Sequence, residues 1–234
     1  MALNMISFID DSLLHIFGIR LTPQARKVTN ALVLGALALV ALLGLWWVYS
    51  QFAGQKEKDA QKTLASCIEL YDQAVGASET SVPWSTVETA CKRAHDEYAN
   101  SNLAPYFLAY QAEALVKQNK TDEAITVMTQ MMKSMSKNSP LYYVYATKLA
   151  LIEIDSNDST AHAQGLKRLE ELAADPKNQQ RDEALYYVGL YFWHLNDRVK
   201  AKEAWQTLAE LSPNAQEASS PWMQLVSERL AVLA

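Results

Sequence analysis

Glycine is scarce in this chain: beyond residue 50 only Gly54, Gly76, Gly165 and Gly189 remain. Ala, Leu, Glu, Gln and Lys are plentiful there, and that balance favours helices. No glycine-rich loop that could cradle a phosphate is present, nor a nucleophile elbow. His15, His95, His162 and His194 are scattered without metal-ligand spacing or an HExxH motif. Ser, His and Asp stand singly on predicted helices, so no catalytic, cofactor-binding or metal-ligating residue is assigned and no enzyme is expected. Positive charge is also in deficit. From Gln51 onward 18 Lys and Arg face 24 Asp and Glu, a net charge of −6, which nucleic acid phosphates and anionic lipid would repel.

What the sequence does have is Ala31 to Tyr49, ALVLGALALVALLGLWWVY, without a charged residue. As a helix its 19 residues rise about 28 Å, against a hydrocarbon core of roughly 30 Å. Trp46, Trp47 and Tyr49 gather at one end, as interfacial aromatics do, and Arg26 and Lys27 precede the other. A removed signal peptide fits poorly, because 30 residues precede the run and Gln51-Phe52-Ala53 is a weak cleavage site. The expected organisation is a cytoplasmic segment over 1–30, a transmembrane helix in lipid over 31–50, and a single domain over 51–234. Positive charges near the two ends tie at three each, and the closeness of Arg26 and Lys27 to the span favours a cytoplasmic N-terminus. Residues 1–21 place Ile6, Ile9, Leu13, Ile16 and Phe17 at helical spacing, which predicts a helix resting on the cytoplasmic interface or docking on a partner.

Beyond the span, Pro105, Pro140, Pro176 and Pro213 are 35, 36 and 37 residues apart, with helical patterns between them. A period near 34 residues closed by proline marks tetratricopeptide helix pairs, each of which buries its apolar face only against neighbours. The predicted fold is all-α: one transmembrane helix, then a tetratricopeptide-like solenoid of about four helix pairs with a C-terminal capping helix from Pro221 to Leu233. Gly189, Phe192, Ala201, Trp205 and Pro213 fall at the small, aromatic, small, large and closing positions of the repeat. Ala112, Leu115, Ala124 and Met128 repeat them around the turn Asn119-Lys120-Thr121-Asp122. In the middle pair, Ser139 and Pro140 predict an N-cap and first-position proline. Its turn, Asp155 to Ser159, reads as several residues too long, and its second helix, Thr160 to Ala174, shows no small-residue register. In the first pair, Lys56 to Gly76 and Trp84 to Ala99, Ser85 and Glu88 predict a capping box.

Cys67 and Cys91 lie equidistant from the centre of the turn between Gly76 and Pro83, so they stand level on an antiparallel pair. A disulfide there would stabilise by roughly 3 kcal/mol in the chain-entropy model and imply an oxidising compartment; two buried, unbridged side chains fit the same positions.

Aromatics crowd the first helices: Tyr106, Phe107 and Tyr110; Tyr142, Tyr143 and Tyr145; Tyr186, Tyr187, Tyr191, Phe192 and Trp193. Most belong to the core. First helices of such a solenoid line its concave face, and the inward positions are Tyr106, Tyr110 and Glu113 in one pair and Tyr186, Tyr187, Leu190, Trp193 and His194 in another. These predict a groove for unfolded or extended polypeptide, since Tyr and Trp contribute contact area at small entropy cost. Repeats that clamp a C-terminal carboxylate carry Lys and Asn where this chain has Ala109, Glu113, Tyr186 and Leu190, so a carboxylate would find no cation.

The order of short N-terminal segment, single span, divergent first pair, further pairs and closing helix resembles the YfgM-like family of ancillary Sec translocon subunits. The resemblance extends to Asn119-Lys120-Thr121-Asp122-Glu123-Ala124 and to the repeat from Gly189 to Trp205. It implies a single-pass protein of the bacterial inner membrane, with periplasmic repeats that associate with the translocon and a membrane-anchored prolyl isomerase chaperone and assist secreted proteins by binding. A structural subunit of another envelope or secretion assembly, and an inverted cytoplasmic docking module, are the competing readings.

Overall fold

The computed structural model describes residues 23–76, 82–211 and 220–232, and among these every regular element is a helix. In order they are α1 (Pro23–Val75), α2 (Trp84–Glu97), α3 (Ala104–Lys117), α4 (Thr121–Ser134), α5 (Tyr142–Ile154), α6 (Ser159–Ala174), α7 (Arg181–His194), α8 (Arg198–Leu211) and α9 (Pro221–Val232). The predicted interfacial helix over 1–21, Pro213 and Leu233 lie outside the described residues. Contacts divide the chain into two units, Met1–Lys58 and Asp59–Ala234.

In the first unit the large apolar side chains described on α1 between Leu32 and Phe52 are exposed, from 44% at Leu37 to 72% at Tyr49. A helix apolar around its whole circumference has no protein core to face, which is how a helix meets lipid. By length and composition it can cross a membrane, with a mean hydropathy of 1.6 over its apolar window. The two helices predicted as 31–50 and 56–76 are a single element: no proline interrupts Gln51 to Gln55, and the lone Gly54 is carried within the helix.

The second unit is built from helix pairs in series, and each pair shares its core with the next. One cluster joins Cys67 of α1, Val87, Cys91 and Ala94 of α2, and Phe107 and Ala114 of α3. Another joins Leu108, Ala112 and Leu115 of α3, Ala124, Met128 and Met131 of α4, and Leu149 and Ile152 of α5. The last runs from Ala146 and Ala150 of α5 through Leu169, Leu185, Trp205 and Leu208 to Val226 of α9. Thus α3 and α5 each contribute to two clusters, as nearest-neighbour stacking requires. The turns α3–α4 and α7–α8 are alike: Asn119 and Asn196 both adopt φ 61°, a left-handed conformation that asparagine tolerates. The following amides, Lys120 N–H and Asp197 N–H, donate to Leu115 and Phe192 carbonyls at 3.0 and 2.9 Å, the paired closure of a Schellman motif.

Several local expectations need correction. The turn before α6 has four residues against three in those two turns, so it is one residue longer, not several. Asp158 supplies the cap of α6, accepting from Thr160 N–H at 2.9 Å. The small residue thought missing from α6 is Gly165: a Cβ there would stand 2.6 Å from the Ala150 carbonyl oxygen and 2.8 Å from Glu153 Cβ. Ser85 caps nothing, because α2 begins at Trp84 after Pro83, and the Glu88 carboxylate goes instead to Gln118 at 2.8 Å and Lys120 at 3.1 Å. Likewise α5 begins at Tyr142 and its N-cap position is Leu141, leaving Ser139 and Pro140 in the preceding turn. The buried Glu153 carboxylate, 1% exposed, accepts from Arg168 Nε and Nη2 at 2.9 and 3.0 Å. That bidentate geometry supplies the partner a buried charge requires.

Gly189 does for α7 and α8 what Gly165 does for α5 and α6, since a Cβ at 189 would lie 2.2 Å from Trp205 Nε1. Overpacking of this kind costs about 1–3 kcal/mol. Gly165→Ala and Gly189→Ala should each lower the thermal midpoint of the full-length protein in detergent, followed by circular dichroism. Gly76→Ala, where the nearest atom is 3.6 Å from the added carbon, should leave it close to the parent.

Candidate functional site

The predicted inward residues of α3 are joined by others that arrive from α1 and α5. Tyr71, one turn beyond Cys67 on α1, meets Tyr110 of α3 edge to face at 5.3 Å between ring centroids. It also meets Trp84 of α2 at 5.5 Å. Tyr145 of α5 lies within electrostatic reach of both Tyr110 and Tyr106. Burial pushes the Tyr110 and Tyr145 phenols above the ordinary tyrosine value, so both remain neutral donors at physiological pH. Tyr106 is half-buried and borders a cavity of about 330 Å³ beside Met135, Ser136 and Ser139.

Glu113 is not a lone charge on this face. Lys148 of α5 donates to its carboxylate in a close ion pair, and burial holds the Lys148 ammonium below its ordinary value. Lys148 thus brings a cation to this face, but one already matched by an acid. The resulting surface is aromatic, carries hydroxyl groups and has its central charge neutralised. Such a surface can pack against side chains and hydrogen-bond a peptide backbone without selecting a charged terminus.

The residues predicted on α7 do not join this set. Tyr186 is 7% exposed and lies 4.9 Å from Trp222 of α9, with Tyr187 5.4 Å from the same ring. The Tyr186 carbonyl accepts from Trp205 Nε1 at 3.2 Å. Leu190 packs against the core, as does Trp193, whose ring is 5.6 Å from Trp205 and lies under the Arg198 guanidinium at 3.4 Å. His194 is exposed at the end of α7. The closing helix thus occupies the tyrosines of the last pair, and Ser220 Oγ fixes its start by donating to Asp182.

Sequence reasoning missed Tyr71 and Lys148 and read Tyr145 only as one of a crowd. The repeat interval points to two of them. Tyr145 follows Tyr110, and Lys148 follows Glu113, by the same 35 residues that separate Pro105 from Pro140. Cys67 and Cys91 are brought together as the symmetry of their turn predicts. Both are buried free thiols here, and a hydrogen bond to Cys67 together with burial pushes the Cys91 thiol up.

Residues 183–215 match the tetratricopeptide repeat family. The matched stretch begins in the first turn of α7 and takes in all of α8, the pair in which Trp205 crosses Gly189. No curated protein and no solved structure matches the chain. All-helical repeats of this kind are typically scaffolds for protein contacts.

Glu183 offers a test of the covered end. Burial, with Asp182 beside it, pushes its carboxyl above the ordinary value of 4.5. Between the unfolded and the folded value the native state binds more protons than the unfolded one, so this group's contribution to stability falls as pH rises through that window. Glu183→Gln should accordingly raise the melting midpoint at pH 7, and the gain should shrink toward zero below pH 4.5. Melts of the two proteins across pH 4 to 8 check the sign.

Proposed function

We propose that this chain is a single-pass, membrane-tethered binding module that holds extended polypeptide on its tyrosine face. On this reading the N-terminus is cytoplasmic and residues 51–234 stand in the periplasm. There the module serves secreted or envelope proteins as an ancillary subunit of the Sec translocon and of its prolyl isomerase chaperone. One observation carries the binding part: Tyr71 meets Tyr110, Tyr145 lies within electrostatic reach of Tyr110, and the three come from successive first helices, the last two of which are also joined by the Glu113–Lys148 pair. Phenol rings give large, rigid contact area and a hydroxyl that bonds backbone carbonyls, and such contacts are tolerant of sequence. The apolar part of α1 and the repeat match support the tether and the interaction class. The translocon and chaperone assignment rests on the resemblance drawn from the order of segments.

A photo-crosslinking residue at Tyr106 or Tyr145 in native membranes should capture translocating polypeptides and translocon components, identified by mass spectrometry. The same probe at exposed Lys133 of α4 should capture far less. Tyr106→Ala should weaken capture of a secreted client from the Tyr145 position by roughly five- to tenfold, the scale of an interface aromatic worth about 1 kcal/mol or somewhat more. Recovery of one stoichiometric envelope assembly without Sec components would instead select the scaffold reading.

A further inference from the structure

Cys67 and Cys91 take no part in the tyrosine face, yet they are set against each other. They are 2% and 0% exposed, come from different helices and share a hydrogen bond. Their other neighbours are apolar or aromatic: Val87, Ala94, Phe107 and Ala114 of the same cluster. Burial alone would suit two small core side chains. Two thiols within hydrogen-bonding reach of each other across a helix seam are also a pair from which a disulfide can form.

The cover over them decides when such a bond can form. Phe107 and Ala114 belong to α3, which closes over the pair together with partly buried Tyr110. With α3 docked, Cys67 is 2% and Cys91 0% exposed, so an oxidant of macromolecular size must act earlier. Tyr71 follows Cys67 by one turn on the same side of α1, and it spans to Trp84 and Tyr110.

We infer that Cys67 and Cys91 close into a disulfide before α3 packs on them, sealing a bridge that fixes Tyr71 at the edge of the polypeptide-binding face. In the step, one cysteine thiolate attacks the disulfide of a thiol–disulfide exchange oxidant, giving a mixed disulfide and one released thiol. The second cysteine then attacks its neighbour's sulfur, forming the Cys67–Cys91 bond and releasing the oxidant's other thiol. Both protons leave to solvent or to the departing thiolates, and the two electrons stay with the oxidant, now a dithiol. In cells the bond rests on the proposed placement of residues 51–234 outside the cytoplasm; the pairing itself does not.

Two measurements on the full-length protein separate these. In the first, cells are lysed into N-ethylmaleimide, and the purified chain is denatured and its intact mass taken. The expected result is no adduct and a mass two hydrogens below the dithiol. In the second, reduced and denatured protein is refolded in detergent with a glutathione redox buffer. It should recover the bridge, which dithiothreitol should then fail to cut until guanidinium is added. A chain that refolds with both thiols free overturns the proposal, and ready reduction of the native protein overturns the sealing by α3. A chain bridged on refolding but recovered from cells as the dithiol supports the pairing and overturns the placement outside the cytoplasm.

Discussion

The close crossing of paired helices is the constraint on which the second unit depends. Trp205, fully buried, lies against the backbone of α7 only because Gly189 has no Cβ to meet its indole edge. Gly165 solves the same problem from the other helix of its pair, letting α6 approach the Ala150 carbonyl. Between α3 and α4 no glycine stands at the crossing, and Ala112 and Ala124 are the small residues there, packed beside Met128 and Met131. In the first pair the small residues at the seam are two cysteines. A pair closed in this way still has an apolar side uncovered. The next first helix covers it, and at the end of the series Val226 and Trp222 of α9 do.

That packing also decides which tyrosines remain for a ligand. A first helix is buried on the sides that meet its own partner and the following pair, and its remaining side is displayed. On α3 and α5 that side carries Tyr106, Tyr110 and Tyr145. On α7 the counterpart of Tyr110 is Tyr187, equally half-buried, but its ring meets Trp222 of the closing helix where that of Tyr110 meets Tyr71. The same residue type therefore plays two parts, according to whether another pair or a cap follows.

The difference marks what was legible in the residues alone. Helix order, the turn at Asn119 and the Gly189–Trp205 crossing could be read, because each rests on side-chain size or backbone freedom within one repeat. The level placement of Cys67 and Cys91 followed from counting around one turn. What could not be read in this way depends on contacts between pairs. Glu88 looked like a cap because Ser85 stands three residues before it, but Gln118 and Lys120 arrive from the α3–α4 turn and take its carboxylate. Gly165 was overlooked because it is the seventh residue of α6, whereas Ala124 and Ala201 are the fourth of α4 and α8, so the repeat spacing does not point to it. The covering of Tyr186 and Tyr187 needed the path of α9, and no periodicity within α7 announces that.

The charge pattern then narrows what the open tyrosines can select. The domain carries a net −6 from residue 51 onward, and such a field would disfavour acidic chains if it reached the face unopposed. At the centre of the face, however, Glu113 is answered by Lys148, and the pair is partly buried. The short-range interaction there is that of neutral phenols beside a closed ion pair. A ligand held by such contacts is not chosen by its terminus or by a charged motif. If that ligand is the extended chain of the proposed function, its affinity would come from aromatic area offset by the entropy of ordering the chain, which would keep individual contacts weak. On the proposed function, a membrane tether through α1 would raise the local concentration of chains emerging at the bilayer, and so make weak contacts sufficient.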